Sequence, residues 1–142
     1  RKPVRVYSEA RALNPDFEGM DEILIAMTFD DGSMATNHLS LNTYPEKFDG
    51  LLVGPKGSIN NIQARTSVLG VWSSELFING KLVISGEQRP HNFALQMKEF
   101  AEAILHKREP MVKSHEILTQ LAILDAAKKS AETHQPVFLD RS

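Results

Sequence analysis

The hydrophobic period of this sequence changes once, near Pro90, and does not change back. Before Pro90, apolar residues recur at every second position between turn-forming clusters. After it they recur every three to four. Strands gathered in one half and helices in the other describe an α+β chain and exclude the alternating order that builds a parallel sheet.

The first half supplies the strands. Val4, Val6 and Ser8 alternate with Arg5, Tyr7 and Glu9, and Ile23, Ile25, Met27 and Phe29 share one face of a second run. Asp30-Asp31-Gly32-Ser33 reads as a hairpin turn, after which Ala35, Leu39 and Leu41 oppose Thr36, His38 and Ser40. Gly54-Pro55-Lys56-Gly57 separates the next two runs. Asn79-Gly80, between Glu75-Leu76-Phe77-Ile78 and Lys81-Leu82-Val83-Ile84, is the sequence of a two-residue type I′ hairpin. Its simplest register sets Ile78 opposite Lys81, Phe77 opposite Leu82 and Leu76 opposite Val83, with apolar residues on both faces.

The second half supplies two helices. Phe93, Met97, Phe100 and Ile104 form one apolar stripe, with Asn92 as its cap and Pro110 beyond its end. Ser114 is the expected cap of a second helix carrying Ile117, Leu121, Leu124 and Ala131. Ala122, Ala126 and Ala127 let that helix approach a neighbour closely, and Pro136 stops it before a short terminal strand at Val137-Phe138-Leu139. The expectation is a single α+β domain over residues 1–142. It would hold a largely antiparallel sheet of about six or seven strands, with both helices packed on one face. The face left uncovered, rich in Leu76, Ile78, Val83 and their neighbours, predicts a homo-oligomer, since large apolar patches mark interfaces.

Composition narrows the chemistry. There is no cysteine, so thiolate metal sites, disulfides and thiol nucleophiles are excluded. Sixteen Lys and Arg against eighteen Asp and Glu offer no footprint for nucleic acid or an anionic membrane. No apolar run approaches a spanning helix or reads as a signal peptide, so a cytoplasmic location is expected. A first residue of Arg1 in place of Met suggests processing, or a piece of something longer. No pair of the eight glycines makes Gly-x-Gly, and no two histidines stand four apart in a metal motif. Trp72 and Arg65 fall in the least regular stretch, where a lone Trp reads as packing. These residues alone assemble no catalytic constellation.

A resemblance supplies what the motifs do not. Asn92-Phe93-Ala94-Leu95-Gln96-Met97-Lys98-Glu99-Phe100-Ala101-Glu102-Ala103-Ile104, followed by Arg108-Glu109-Pro110, resembles the first C-terminal-domain helix of the Gfo/Idh/MocA oxidoreductases. Ile123-Leu124-Asp125-Ala126-Ala127-Lys128-Lys129-Ser130-Ala131-Glu132, with Gln135-Pro136-Val137-Phe138-Leu139, is similar to the closing helix and strand of that family. Gly54-Pro55-Lys56-Gly57-Ser58-Ile59 is similar to its Gly-Thr-Lys-Gly turn. The resemblance implies the C-terminal, substrate-side and oligomerisation domain of an enzyme that oxidises or reduces sugars, inositols or related polyols by hydride transfer. NAD or NADP would be held by a Rossmann domain upstream. The fingerprint glycines, the Glu-Lys-Pro lysine and the Asp-x-x-x-His pair of the family are absent, so the resemblance implies no catalytic, cofactor-binding or metal residue here. The chain has Lys107 and His134 where the family commonly has Gly after each helix, a place for left-handed backbone.

For substrate contact the sequence offers one strand edge. His38, Asn42 and Tyr44 fall at even spacing with Thr36 and Ser40, a polar face suited to a hydroxyl-rich ligand. Two other functional classes remain open: a stand-alone binding or scaffold module of the same fold, and a hydrolase whose site the sequence does not display.

Overall fold

The computed structural model describes residues 1–43, 46–65, 72–87 and 92–139. Its elements run β1 (Pro3–Arg11), β2 (Glu22–Phe29), β3 (Met34–Ser40), β4 (Lys47–Gly54), β5 (Gly57–Arg65), β6 (Trp72–Ile78), β7 (Lys81–Glu87), α1 (Asn92–Leu105), α2 (Ser114–Thr133) and β8 (Val137–Phe138). The class is α+β, as expected. The strands form two antiparallel sheets of four, ordered β3-β2-β1-β8 and β4-β5-β6-β7, in place of one sheet of six or seven. The chain divides into two compact units, Arg1–Asn42 with Met111–Ser142, and Thr43–Pro110.

In the first unit, α2 packs along β1 and β8. Val6, Ala126 and Ala127 are its buried centre, with Ile25, Met27, Ile123, Val137 and Leu139 packed around them. The helix therefore seats its small-residue face. Ile117, Leu121 and Leu124, the stripe the sequence suggested, stay about half exposed. Alanines bring the helix axis close to the sheet, and Leu124 lines an open cavity together with Ile23, Ile25 and Ala131. The N-cap also differs from expectation. Lys113 is extended and holds the cap position, its N–H donating to the Glu116 carboxylate at 2.9 Å, and Ser114 is already in the helix.

Ser130 does what the short β8 cannot. β8 pairs with β1 only at Arg5 and Val6, so the Ser8 N–H lies beyond its reach. That amide donates to Ser130 Oγ at 3.0 Å, and the same hydroxyl donates to the Gln135 carbonyl at 2.7 Å. Beyond α2, His134 adopts left-handed backbone, and Lys107 does the same beyond α1, so both positions keep the conformation usual for glycine.

In the second unit, Asn79 and Gly80 both have positive φ, as a type I′ turn requires. The register beyond that turn corrects the simplest expectation. A bulge sets Leu76 opposite Ile84 while Phe77 stays opposite Leu82, leaving Val83 as the extra residue. Leu76 thus shares a face with Ile84, and Val83 is opposite no residue. Asn79 also joins the two hairpin turns. It takes the Ser58 N–H on its side-chain oxygen at 2.8 Å and donates its own N–H to the Ser58 carbonyl at 2.9 Å. Trp72 belongs to β6, its ring 5.3 Å from that of Phe48, which is a packing role. The pairing of both helices on one face is not found among the described residues, where α2 packs along β1 and β8 while Phe93, Met97, Phe100 and Ile104 of α1 are 54–71% exposed.

Candidate functional site

The polar residues of the first unit collect on the sheet face away from α2. Antiparallel register sets them in rows across three strands: Arg11, Glu22 and Ser40; Glu9, Leu24 and His38; Tyr7, Ala26 and Thr36; Arg5, Thr28 and Met34. The alternation that buries Val6 and Ser8 under the helix puts Arg5, Tyr7 and Glu9 here.

Glu22 is the centre of one corner. Its carboxylate accepts from Ser40, His38 and Asn42, and these bonds, Ser40 foremost, hold it below the usual carboxylate range against the opposing effect of burial. The His38 Nε2–H points at Glu22, which fixes the ring and leaves Nδ1 an acceptor while the imidazole is neutral. The Glu22 side chain is 25% exposed and that of His38 60%, so the carboxylate anchors and the imidazole faces outward. Next in sequence, the buried Asp21 accepts the Leu13 and Asn14 amides at 2.8 and 2.7 Å and so pins the loop between β1 and β2. The Leu13 bond is the largest cause of its lowered pKa, with Asn14 and Asn42 contributing too.

A second cluster lies on β1. The Tyr7 hydroxyl donates to Glu9, which raises the tyrosine and lowers the glutamate. His134 Nδ1 is 3.6 Å and Arg11 Nη2 3.9 Å from the other Glu9 oxygen.

Of the residues singled out in the sequence, His38 and Asn42 meet at the Glu22 corner, and Tyr44 lies outside the described residues. Sequence reasoning missed Glu22, Asp21, Tyr7, Glu9 and His134. Glu22 had no exact signal: counting back through a four-residue Asp30–Ser33 turn sets it opposite Leu41, one step from its observed partner Ser40. Among the described residues no group of three or more His, Asp or Glu could hold a metal ion, and no helix is long and apolar enough to cross a membrane.

No family model matches the sequence, and no curated protein matches it. Solved structures do. The chain superposes on aldose-aldose oxidoreductase from Caulobacter crescentus, solved with glycerol, with TM-score 0.70 and 23% identity, over 97% of this chain and 42% of that one. The WlbA dehydrogenase from Bordetella pertussis, solved with NADH and UDP-GlcNAcA, gives 0.62 and 17%, over 99% and 40%. An oxidoreductase from Agrobacterium radiobacter, solved with NAD+, L-tartaric acid and magnesium, gives 0.57 and 17%, over 96% and 43%. The chain has the fold of one part of these oxidoreductases. It spans about two-fifths of their length.

Among the described residues, neither the α2 N-terminus nor the turn at Pro55-Lys56 fits a nicotinamide dinucleotide. A pyrophosphate needs free amides at a helix N-terminus behind a glycine-rich turn. At α2 the cap amide of Lys113 is already taken by the Glu116 carboxylate, whose charge repels phosphate. The glycine-flanked turn at Pro55-Lys56 leads into β5, which has no helix dipole to offer.

Proposed function

We propose that the chain is the C-terminal, substrate-side part of a Gfo/Idh/MocA-type oxidoreductase that uses NAD or NADP. Its substrate would be a sugar, an inositol or a related polyol. The observation that supports this best is the superposition of nearly the whole chain on two-fifths of several oxidoreductases. Glycerol, UDP-GlcNAcA and tartaric acid, found with those neighbours, are all hydroxylated. The dinucleotide belongs to the remainder of the parent enzyme, in a cytoplasmic setting, and no chemical step is assigned to this chain. Its contribution is to hold substrate hydroxyls. The His38 ring, fixed by Glu22, offers one hydrogen-bond position, and Asn42 stands beside it.

Self-association belongs to the same reading. Leu51, Val53 and Leu82 on one face of the second sheet, and Leu52 and Ile84 on the other, are all more than half exposed, as is the bulged Val83, apolar surface suited to a second copy. Light scattering should show an assembly larger than the 15.9 kDa chain, and Val83→Glu should weaken it while leaving the fold intact.

The test begins with the coding sequence upstream of Arg1. It should encode a strand followed by Gly-x-Gly-x-x-Gly, and a different domain there overturns the proposal. In the complete enzyme, His38→Ala should raise KM for the polyol roughly 3- to 10-fold at nearly constant kcat, the mark of a lost binding contact. Calorimetry of the 142-residue chain alone should show no binding of NAD or NADP, and micromolar binding refutes the assignment.

A further inference from the structure

The opposite face of the first sheet, the one under α2, holds a cavity of about 300 Å³. Small residues on both sides make it. On β1, Ser8 and Ala10 alternate onto the helix side, and on α2, Ala127 and Ala131 stand one turn apart on the stripe that meets them. Where small side chains oppose small ones, the space between strand and helix stays unfilled. Ile25 and Ile23, the cross-strand partners of Ser8 and Ala10, wall it on one side and Leu124 on the other. Met20 lines it from the loop that Asp21 pins, and its unbranched thioether adapts to what it meets.

One atom is out of keeping with these apolar walls. Ser8 is 1% exposed, and its Oγ has no hydrogen-bond partner. Ser130 does not serve it, because the Ser130 hydroxyl is engaged by the Ser8 N–H and the Gln135 carbonyl. A buried hydroxyl left unpaired is costly, and a single polar atom on a ligand would satisfy it. Such a ligand is neutral, because the exposed Lys128 and Glu132 set opposite charges one turn apart on the cavity lining and favour neither anion nor cation. A polyol is excluded, since all but one of its hydroxyls would face hydrocarbon.

We infer that this cavity binds a compact neutral hydrocarbon bearing one hydroxyl or carbonyl, its body against Ile23, Ile25 and Leu124 and its polar atom on Ser8 Oγ. An apolar cavity of about 150 Å³ admits benzene, so a substituted six-membered ring fits here. The inference is independent of the oxidoreductase reading. It uses the other face of the sheet from the Glu22 corner and a different class of ligand, so either can fail while the other stands.

Titration of the 142-residue chain, followed by amide and methyl NMR shifts, tests it with cyclohexanol, cyclohexane, cyclohexanecarboxylate and myo-inositol. Cyclohexanol should bind saturably in the millimolar range or better, with shifts at Ile23, Ile25 and Leu124. The carboxylate should bind more weakly, and myo-inositol should leave these residues unmoved. Ser8→Ala should weaken cyclohexanol about 3- to 10-fold without weakening cyclohexane, which marks the hydroxyl as the recognised group. Ala10→Leu and Ala131→Leu fill the cavity from the sheet and from the helix. Each should abolish cyclohexanol binding, so the failure of one to fold leaves the other as the test. No saturable binding of cyclohexanol, an affinity indifferent to Ser8→Ala, binding that persists in a folded leucine variant, or carboxylate or inositol binding as tightly at these residues overturns the inference.

Discussion

Two buried serines face each other across β1 and α2, and they should respond in opposite ways to loss of their hydroxyls. Ser130 Oγ is the partner of the Ser8 amide, at 3.0 Å in a buried setting. In Ser130→Ala that amide keeps its burial and loses its acceptor, a cost of about 1–3 kcal/mol. The Gln135 carbonyl also loses a donor at 2.7 Å, but Gln135 is exposed and water replaces it. Alanine returns a few tenths of a kcal/mol in helix propensity. The net loss is about 1–2.5 kcal/mol. Ser8 is the reverse case. Its own Oγ is buried and makes no hydrogen bond, so Ser8→Ala removes an uncompensated polar group and should be neutral or stabilising by up to about 1 kcal/mol. Urea unfolding followed by circular dichroism, at unchanged slope, measures both differences. Native-state hydrogen exchange at the Ser8 amide locates the first, since that amide should lose protection in Ser130→Ala. A Ser130→Ala chain as stable as the parent refutes the assignment of that bond, and a Ser8→Ala chain weaker by more than about 1 kcal/mol refutes the assignment of the Ser8 hydroxyl as unpaired.

Left-handed backbone at Lys107 strains a side chain that glycine would relieve, so Lys107→Gly should stabilise by about 1 kcal/mol in thermal unfolding. His134→Gly should gain less, because it gives up the contact with Glu9. Gly57→Ala should destabilise by about 1–3 kcal/mol or more. Its φ is +133°, and a Cβ there would lie 2.1 Å from Asn79 Oδ1, so both hairpin turns must shift. Glu9, Asp21, Glu22 and Asp31 all have folded pKa values below their ordinary ones. Their contribution to stability is therefore complete above the ordinary carboxylate range and is lost as pH falls through the lowered values. Unfolding midpoints measured from pH 7 downward should stay flat and then fall in acid. In Glu22→Gln that fall should be shallower.

What could be read from the sequence was local. The Asn79-Gly80 turn, the alternation of β1 and the helical period after Asn92 each depend on neighbours a few residues apart, and all three appear in the structure. The bulge at Val83 was not legible, because no residue type there announces it. The packed face of α2 was read in part: the close approach at Ala126 and Ala127 was foreseen, while the Ile117, Leu121 and Leu124 stripe was wrongly taken as the seat. Leu and Ile carry more apolar area than Ala126 and Ala127, but close approach favoured the smaller residues. The polar strand face was visible as a pattern, yet the Glu22–His38 pair joins residues sixteen apart, and one step of slip between strands would separate them. Ser130 meeting Ser8 spans nearly the whole chain and was beyond any local rule.

The first unit is closed by β8, the last strand among the described residues. β8 pairs with β1, and β3 is followed by the whole of the second unit before Met111 resumes the first. On the ribosome, β1 to β3 must therefore wait for roughly a hundred further residues, some 5–20 s at ordinary elongation rates, with the β1 edge bare. The second unit, continuous from Thr43 to Pro110, can complete its ladder during that interval. Truncation at Thr133 deprives β1 of β8 and Ser130 of the Gln135 carbonyl, so the β1 edge should stay bare after synthesis as well and the chain should be more prone to aggregate.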